Sequence, residues 1–213
     1  MIETRDAGAL VGVYKPAMTH YDPTAALIVT DVQNDFADPD GSLYVRGGEE
    51  VVPVVNREIE HASAADALVV YSQDWHPEST PHFQKDGGIW PVHCVADTWG
   101  AAFHSGLDVI AGAERLRKGT GGEDGYSVFT VRDPTTGREA PTSLQRILEE
   151  RGIARVVVVG LATDYCVKET VLDARRLGYG TTVVRDAVAA VNLNENDGNR
   201  AIAQMEEAGA ELV

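Results

Sequence analysis

Arg155-Val156-Val157-Val158-Val159-Gly160-Leu161-Ala162-Thr163-Asp164-Tyr165-Cys166 decides the fold. Four consecutive valines leave no polar face, so the run over 155–160 is expected as a central parallel strand covered on both sides. A helix over about 164–177 follows it. Upstream, Thr142 or Ser143 can cap a helix in which Leu144, Ile147 and Leu148 share a face, and Gly152 ends it. Downstream come a strand over 181–185, a helix over about 195–208, and the start of an edge strand over 210–213.

The first half repeats the rhythm. Residues 26–30 read as a strand, 49–64 as a helix and 67–72 as a second strand, which is a βαβ opening. Between Gln73 and Val128 the alternation breaks, and only 114–118 suggests another strand. Residues 1–24 show no sustained period and read as an arm, so the expected organisation is one domain over 25–213 with an inserted loop at about 74–100. The fold class is three-layer α/β, a largely parallel sheet between helices with Rossmann-like topology.

Composition narrows the function. A formal net charge of -15 with no cluster of Lys and Arg argues against a nucleic-acid partner. No apolar run approaches the length of a membrane span, and the N-terminus lacks the order of a signal peptide. A soluble cytoplasmic protein is expected. Cys94 and Cys166, the only two cysteines, make no disulfide framework.

Ligands of open parallel sheets bind beyond the carboxyl ends of the strands, so the residues there carry the chemistry. Cys166 falls in the first turn after the valine strand, where helix N-terminal amides favour a thiolate. Taken alone, a free cysteine is more often a small buried hydrophobe. Asp31 directly follows the first strand, and from that edge of the core a carboxylate can take the thiol proton and later return it to a leaving amine. A turn or capping aspartate is the competing interpretation, a role better suited to Asp35. Lys118 ends the short run Arg115-Leu116-Arg117-Lys118 and precedes the glycine-rich loop 119–125. In the company of Cys166 and Asp31 it would hold a thiolate and orient the carboxylate, whereas alone it would be a solvated lysine.

The inserted loop supplies Asp74, His76, His82 and His93. Oxygen with imidazole suits zinc, iron or manganese better than magnesium or calcium. A polar loop with scattered histidines is the alternative, and Cys94 is expected as a buried thiol rather than a ligand. A dinucleotide-binding protein would need Gly-x-Gly-x-x-Gly after the first strand, where this chain has Asp31-Val32-Gln33-Asn34-Asp35. A metal-stabilised scaffold with an inert Cys166 is a further rival.

Five pieces in order, Asp31-x-Gln33-x-Asp35-Phe36, Asp74-Trp75-His76, Trp90-Pro91-x-His93-Cys94, Lys118-Gly119 with Tyr126-Ser127-x-Phe129, and Gly160-x-Ala162-Thr163-Asp164-Tyr165-Cys166-Val167, resemble the isochorismatase-like cysteine hydrolases. Within that family the resemblance is closest to the nicotinamidase/pyrazinamidase group. It implies a six-stranded, largely parallel sheet with a triad of Asp31, Lys118 and Cys166. It implies one divalent metal, zinc by preference and iron or manganese otherwise, on Asp74, His76 and His93, with His82 matching a fourth ligand that varies. Phe36, Trp90 and Tyr126 match walls for an aromatic ring. The amides of Ala162 and Cys166 match an oxyanion hole, and the peptide before Ala162 is cis in the family. The implied reaction is hydrolysis of nicotinamide to nicotinate and ammonia in NAD salvage, with pyrazinamide as a second substrate. The partner is thus a small-molecule amide, and self-association is left open. The alternative within the family is an amidohydrolase for another small amide or ureido compound. The metal residues speak against that alternative, and Cys166 speaks against isochorismatase itself.

Overall fold

The computed structural model describes residues 20–213, so most of the expected arm lies outside the described residues. At its end, the Asp22 carboxylate accepts from the Thr24 amide and pairs with Arg155. The first strand, β1 (Ala25–Thr30), is apolar up to its last residue and wholly buried. A single helical turn, α1 (Asn34–Ala37), and the long helix α2 (Gly48–Ala64) lead to β2 (Leu68–Asp74). After the insertion come β3 (Glu114–Lys118), the hairpin β4 (Thr130–Arg132) and β5 (Glu139–Pro141), and helix α3 (Leu144–Glu150). The chain closes with β6 (Arg155–Leu161), α4 (Lys168–Arg176), β7 (Gly180–Ala189), α5 (Asp197–Glu207) and β8 (Glu211–Leu212).

Six strands form one sheet in the order β3-β2-β1-β6-β7-β8. Every neighbouring pair is parallel. Alternate residues of the central strands serve different cores, which is why these strands are apolar throughout. Leu27, Val29, Val157 and Val159 pack with Val51, Val55 and Ile59 of α2. Ala26, Ile28, Val156 and Val158 pack on the other face with Leu144, Leu148, Val171 and Met205 of α3, α4 and α5. Among the described residues no helix is long and apolar enough to cross a membrane.

Some local structure departs from the sequence expectation. The segment after β6 does not enter an α-helix at Asp164. It makes a wide π turn over Thr163–Val167, with the Ala162 carbonyl accepting from the amides of Tyr165 and Val167, both at 3.1 Å. The regular helix begins only at Lys168. Strand β7 runs four residues past Arg185, because a register irregularity opposite Val158 and Gly160 lets pairing resume at Val188. The β4–β5 hairpin was not expected, since its strands are short and β5 is exposed.

β1 and β6 meet most tightly at Gly160, which is paired with Thr30 and has φ of +107°. A Cβ there would lie 2.0 Å from the Thr30 carbonyl oxygen. We expect Gly160→Ala to destabilise the protein by about 3 kcal/mol or more, read as a lowered urea midpoint. An unchanged midpoint would contradict the close approach.

Candidate active site

β1 is flanked by β2 on one side and β6 on the other, while the chain winds outward in opposite directions from these two strands. The crevice beyond their carboxyl ends is the switch point of the sheet, where ligands bind. Asp31 follows β1 with φ of +49°, and its carbonyl accepts from the Gln33 amide at 2.8 Å. This tight left-handed turn swings the chain away while leaving the carboxylate behind, fully buried. Lys118 ends β3, Asp74 ends β2, and Cys166 sits in the π turn after β6.

The Lys118 ammonium joins these residues. Its Nζ donates to Asp31 Oδ2 at 2.7 Å and to the Tyr126 carbonyl at 3.1 Å, lies 2.9 Å from Asp74 Oδ1, and stands 3.4 Å from Cys166 Sγ. The second Asp31 oxygen accepts from the Ser72 hydroxyl at 2.6 Å. Asp31, Asp74 and Cys166 each bring one acid atom within 4.8 Å of the others. Burial alone would push the ammonium toward neutrality, but Asp31 and Asp74 outweigh it and hold Lys118 charged, well above the usual lysine value. For Asp31 burial dominates and raises the carboxyl above 3.8 despite Lys118. For Asp74 burial is overcome chiefly by Lys118, so it is ionised.

Cys166 differs from the sequence expectation. Burial pushes its thiol well above the ordinary value, and Lys118 opposes this without reversing it. The resting group is a thiol, because it is the desolvation of a thiolate that counts here. Cys94 is also fully buried and raised by burial, and its amide donates to Asp35 Oδ2 at 2.7 Å. Asp35 accepts as well from the Ser42 amide, which fits the bracing position assigned to it.

Beside this cluster His76, His82 and His93 each offer a nitrogen within 4.8 Å of the others. Asp74 Oδ2, the oxygen turned from Lys118, is 3.8 Å from His76 Nε2 and 3.9 Å from His93 Nε2. The donor set suits a divalent cation on the structure's own terms. Buried His76 has no hydrogen-bond partner on either ring nitrogen among the described residues, an unfavourable state that a metal would relieve. His93 is pushed down to about 4, chiefly by burial, so its imidazole is neutral. Its Nδ1 donates to the Pro91 carbonyl at 2.7 Å, which leaves the lone pair on Nε2. Gly119 at φ of +79° makes room for the site, since a Cβ there would meet His76 Nδ1 at 2.6 Å.

A narrow cleft opens over both clusters, and Phe36, Trp90, Tyr126, Ala162 and Cys166 all line it. The Trp90 indole donates to the Tyr126 hydroxyl at 3.0 Å, which braces two of the walls. Sequence reasoning missed Tyr165, whose ring meets Trp90 edge-on at 4.9 Å and Tyr126 at 5.1 Å. Its position next to Cys166 was the available signal. Ser72 was missed too, as was the apolar side of the cleft formed by Leu43, Val45, Leu161 and Val191. The peptide between Leu161 and Ala162 is cis, as the resemblance implied.

The fold and this geometry together define an α/β protein with a cysteine, carboxylate and ammonium cluster at its switch point. The chain belongs to the family of the isochorismatase domain, whose model matches residues 25–213. It is 38% identical over 206 residues to a nicotinamidase of Escherichia coli, an alignment that covers 89% of this chain and 94% of that one. The crystal structure of a pyrazinamidase of Pyrococcus horikoshii in complex with zinc superposes with a TM-score of 0.80 at 38% identity, covering 90% of this chain and 99% of that one. An L. infantum protein in complex with nicotinate gives a TM-score of 0.79 at 36% identity, covering 90% and 92%.

Ser72 favours the ionised form of Asp31, so its removal moves the carboxyl further up. We expect Ser72→Ala to shift the Asp31 titration to higher pH in a carbon-13 NMR experiment on labelled aspartate, and Ser72→Thr to restore it. A midpoint that stays put or falls would show that the hydroxyl does not act on this group.

Proposed function

We propose that this chain is a nicotinamidase, a cysteine amidohydrolase that converts nicotinamide to nicotinate and ammonia and also accepts pyrazinamide. The observation that carries the reading is the convergence of Asp31, Lys118 and Cys166 beside the Asp74 and histidine set, at the floor of an aromatic cleft. Similarity to nicotinamidases over most of the chain supports it. Residues 25–213 would form the one hydrolase domain, and two unpaired thiols fit a cytoplasmic setting.

In this reading Asp74, His76, His82 and His93 hold a divalent ion, zinc by preference. When bound, that ion supplies a Lewis-acid anchor for the pyridine nitrogen. Phe36, Trp90 and Tyr126 wall the ring and present the carboxamide to Cys166. Asp31 takes the proton from Sγ as sulfur bonds to the amide carbon, and Lys118 steadies both partners. The amides of Ala162 and Cys166 face the oxygen that becomes anionic. As the C–N bond breaks, Asp31 gives its proton to the departing ammonia. Asp31 then takes a proton from water, whose oxygen attacks the thioester, and nicotinate leaves as the thiol is restored.

Ammonia release from nicotinamide tests the reading. Cys166→Ala and Asp31→Asn should each lose activity by about 10³-fold or more while the fold persists, and stripping the metal should lower activity reversibly. Full turnover by Cys166→Ala would refute the assignment. A wild type inactive on nicotinamide but active on a ureido compound would keep the family and move the substrate.

The base must be ionised to accept the thiol proton, and Asp31 is raised. The acid limb of kcat/KM should therefore fall as pH drops through a value above the 3.8 of an ordinary aspartate. A limb at or below that value would remove Asp31 as the base.

A further inference from the structure

The glycine-rich segment 119–125 has no role in the reaction described above, yet it carries an acid aimed at the site. Asp124 Oδ1 lies 3.0 Å from His82 Nδ1 and also accepts from the Gly125 amide at 2.8 Å. Its other oxygen accepts from Arg132 Nη2 at 2.6 Å. Asp124 and Arg132 further exchange both backbone hydrogen bonds, at 2.7 and 2.6 Å. Arg132 belongs to β4, which is paired with β5. The carboxylate is thus fixed through its main chain and its side chain to a hairpin.

That fixation has a consequence for His82. A carboxylate accepts and cannot donate, so the proton of the neutral ring sits on Nδ1 and the lone pair on Nε2. The ring is held nearly parallel to His76, with centroids 4.9 Å apart, and 5.5 Å from His93. His82 stands on a loop, and without Asp124 its ring could turn or adopt the other tautomer.

We propose that Asp124, braced by Arg132 and the β4–β5 hairpin, is a positioning residue that presents His82 as a metal ligand. This rests on the metal set given under Proposed function. A carboxylate behind a ligating histidine fixes the ring and makes it a better donor, and its loss weakens metal binding by about 10–100-fold.

The test is zinc affinity, measured by competition with a chromophoric chelator on the folded full-length protein, together with the visible spectrum of the cobalt form. Asp124→Ala should bind zinc about 10–100-fold more weakly and change the cobalt spectrum. Asp124→Asn, whose amide oxygen still accepts from Nδ1, should retain part of the affinity and serves if the alanine variant does not fold. In the background of His82→Ala, Asp124→Ala should have little further effect, because it acts through the ring. Affinity within twofold of wild type in Asp124→Ala, or full additivity in the double variant, would overturn the proposal. A wild type that binds no zinc and no cobalt would overturn the metal reading and this inference with it, whereas equal affinity in wild type and variant overturns this inference alone.

Discussion

Lys118 is 2% exposed, and the rest of the site is arranged around its buried ammonium. A buried cation is tolerable only with close anionic partners, and Asp31 and Asp74 supply them from the ends of two other strands. The pair is unequal. Asp74 is ionised and cancels the charge of the lysine, while Asp31, pushed up by burial, is the group for which gaining a proton costs least. A third negative charge on Cys166 would leave the cluster with an excess it cannot solvate. Its thiol therefore stays protonated at rest, and in the proposed reaction sulfur loses its proton only as Asp31 receives it. The nucleophile is made during attack rather than stored.

The cluster exists because of sheet order. Asp31, Asp74, Lys118 and Cys166 are separated by up to 135 positions in the chain, yet β3, β2, β1 and β6 are consecutive neighbours in the sheet. Each residue lies at or just beyond the carboxyl end of its strand, so parallel pairing brings all four to one rim. Gly160 permits β6 to close on β1 at the level of Thr30, one residue before Asp31. The fold thereby determines the spacing of the acid and the thiol through backbone contact.

The strands of the sheet centre were legible because burial on both faces writes an uninterrupted apolar run, as at 26–30 and 156–159. The turns were less so. The π turn at 163–167 has no distinctive composition; its Asp164 carboxylate accepts from the amides of Val191 and Asn192, partners nearly thirty residues on. The hairpin had a signal in Asp133-Pro134-Thr135-Thr136-Gly137, with Asp133 accepting from the amides of Thr135 and Thr136, but its three-residue strands, of which β5 is wholly exposed, offer no pattern of burial. In the site, Asp31, Asp74 and Cys166 were marked as candidates by their places after strands, but each gained its weight only from the others. Lys118 needed the others for company. Ser72 and Asp124 act only on residues distant in sequence, so no local feature marks them, and Tyr165 had only its place next to Cys166 to mark it.

Asp74 divides its two oxygens between the halves of the site, Oδ1 to Lys118 and Oδ2 toward His76 and His93. A cation on the histidine side would draw charge from this carboxylate and reduce what it offers the ammonium. Lys118 would then lean more on Asp31 and Cys166, and both would find their charged forms easier to reach. In the proposed reading the same carboxylate both anchors the ion and sets the electrostatics of Cys166, and the backbone of Asp74 is held in turn by Gln33, whose amide donates to its carbonyl at 2.7 Å and accepts from its N–H at 2.8 Å. Because Gln33 lies two residues from Asp31, the acid and the shared carboxylate are positioned by one short segment, and a shift in either half of the site is felt in the other.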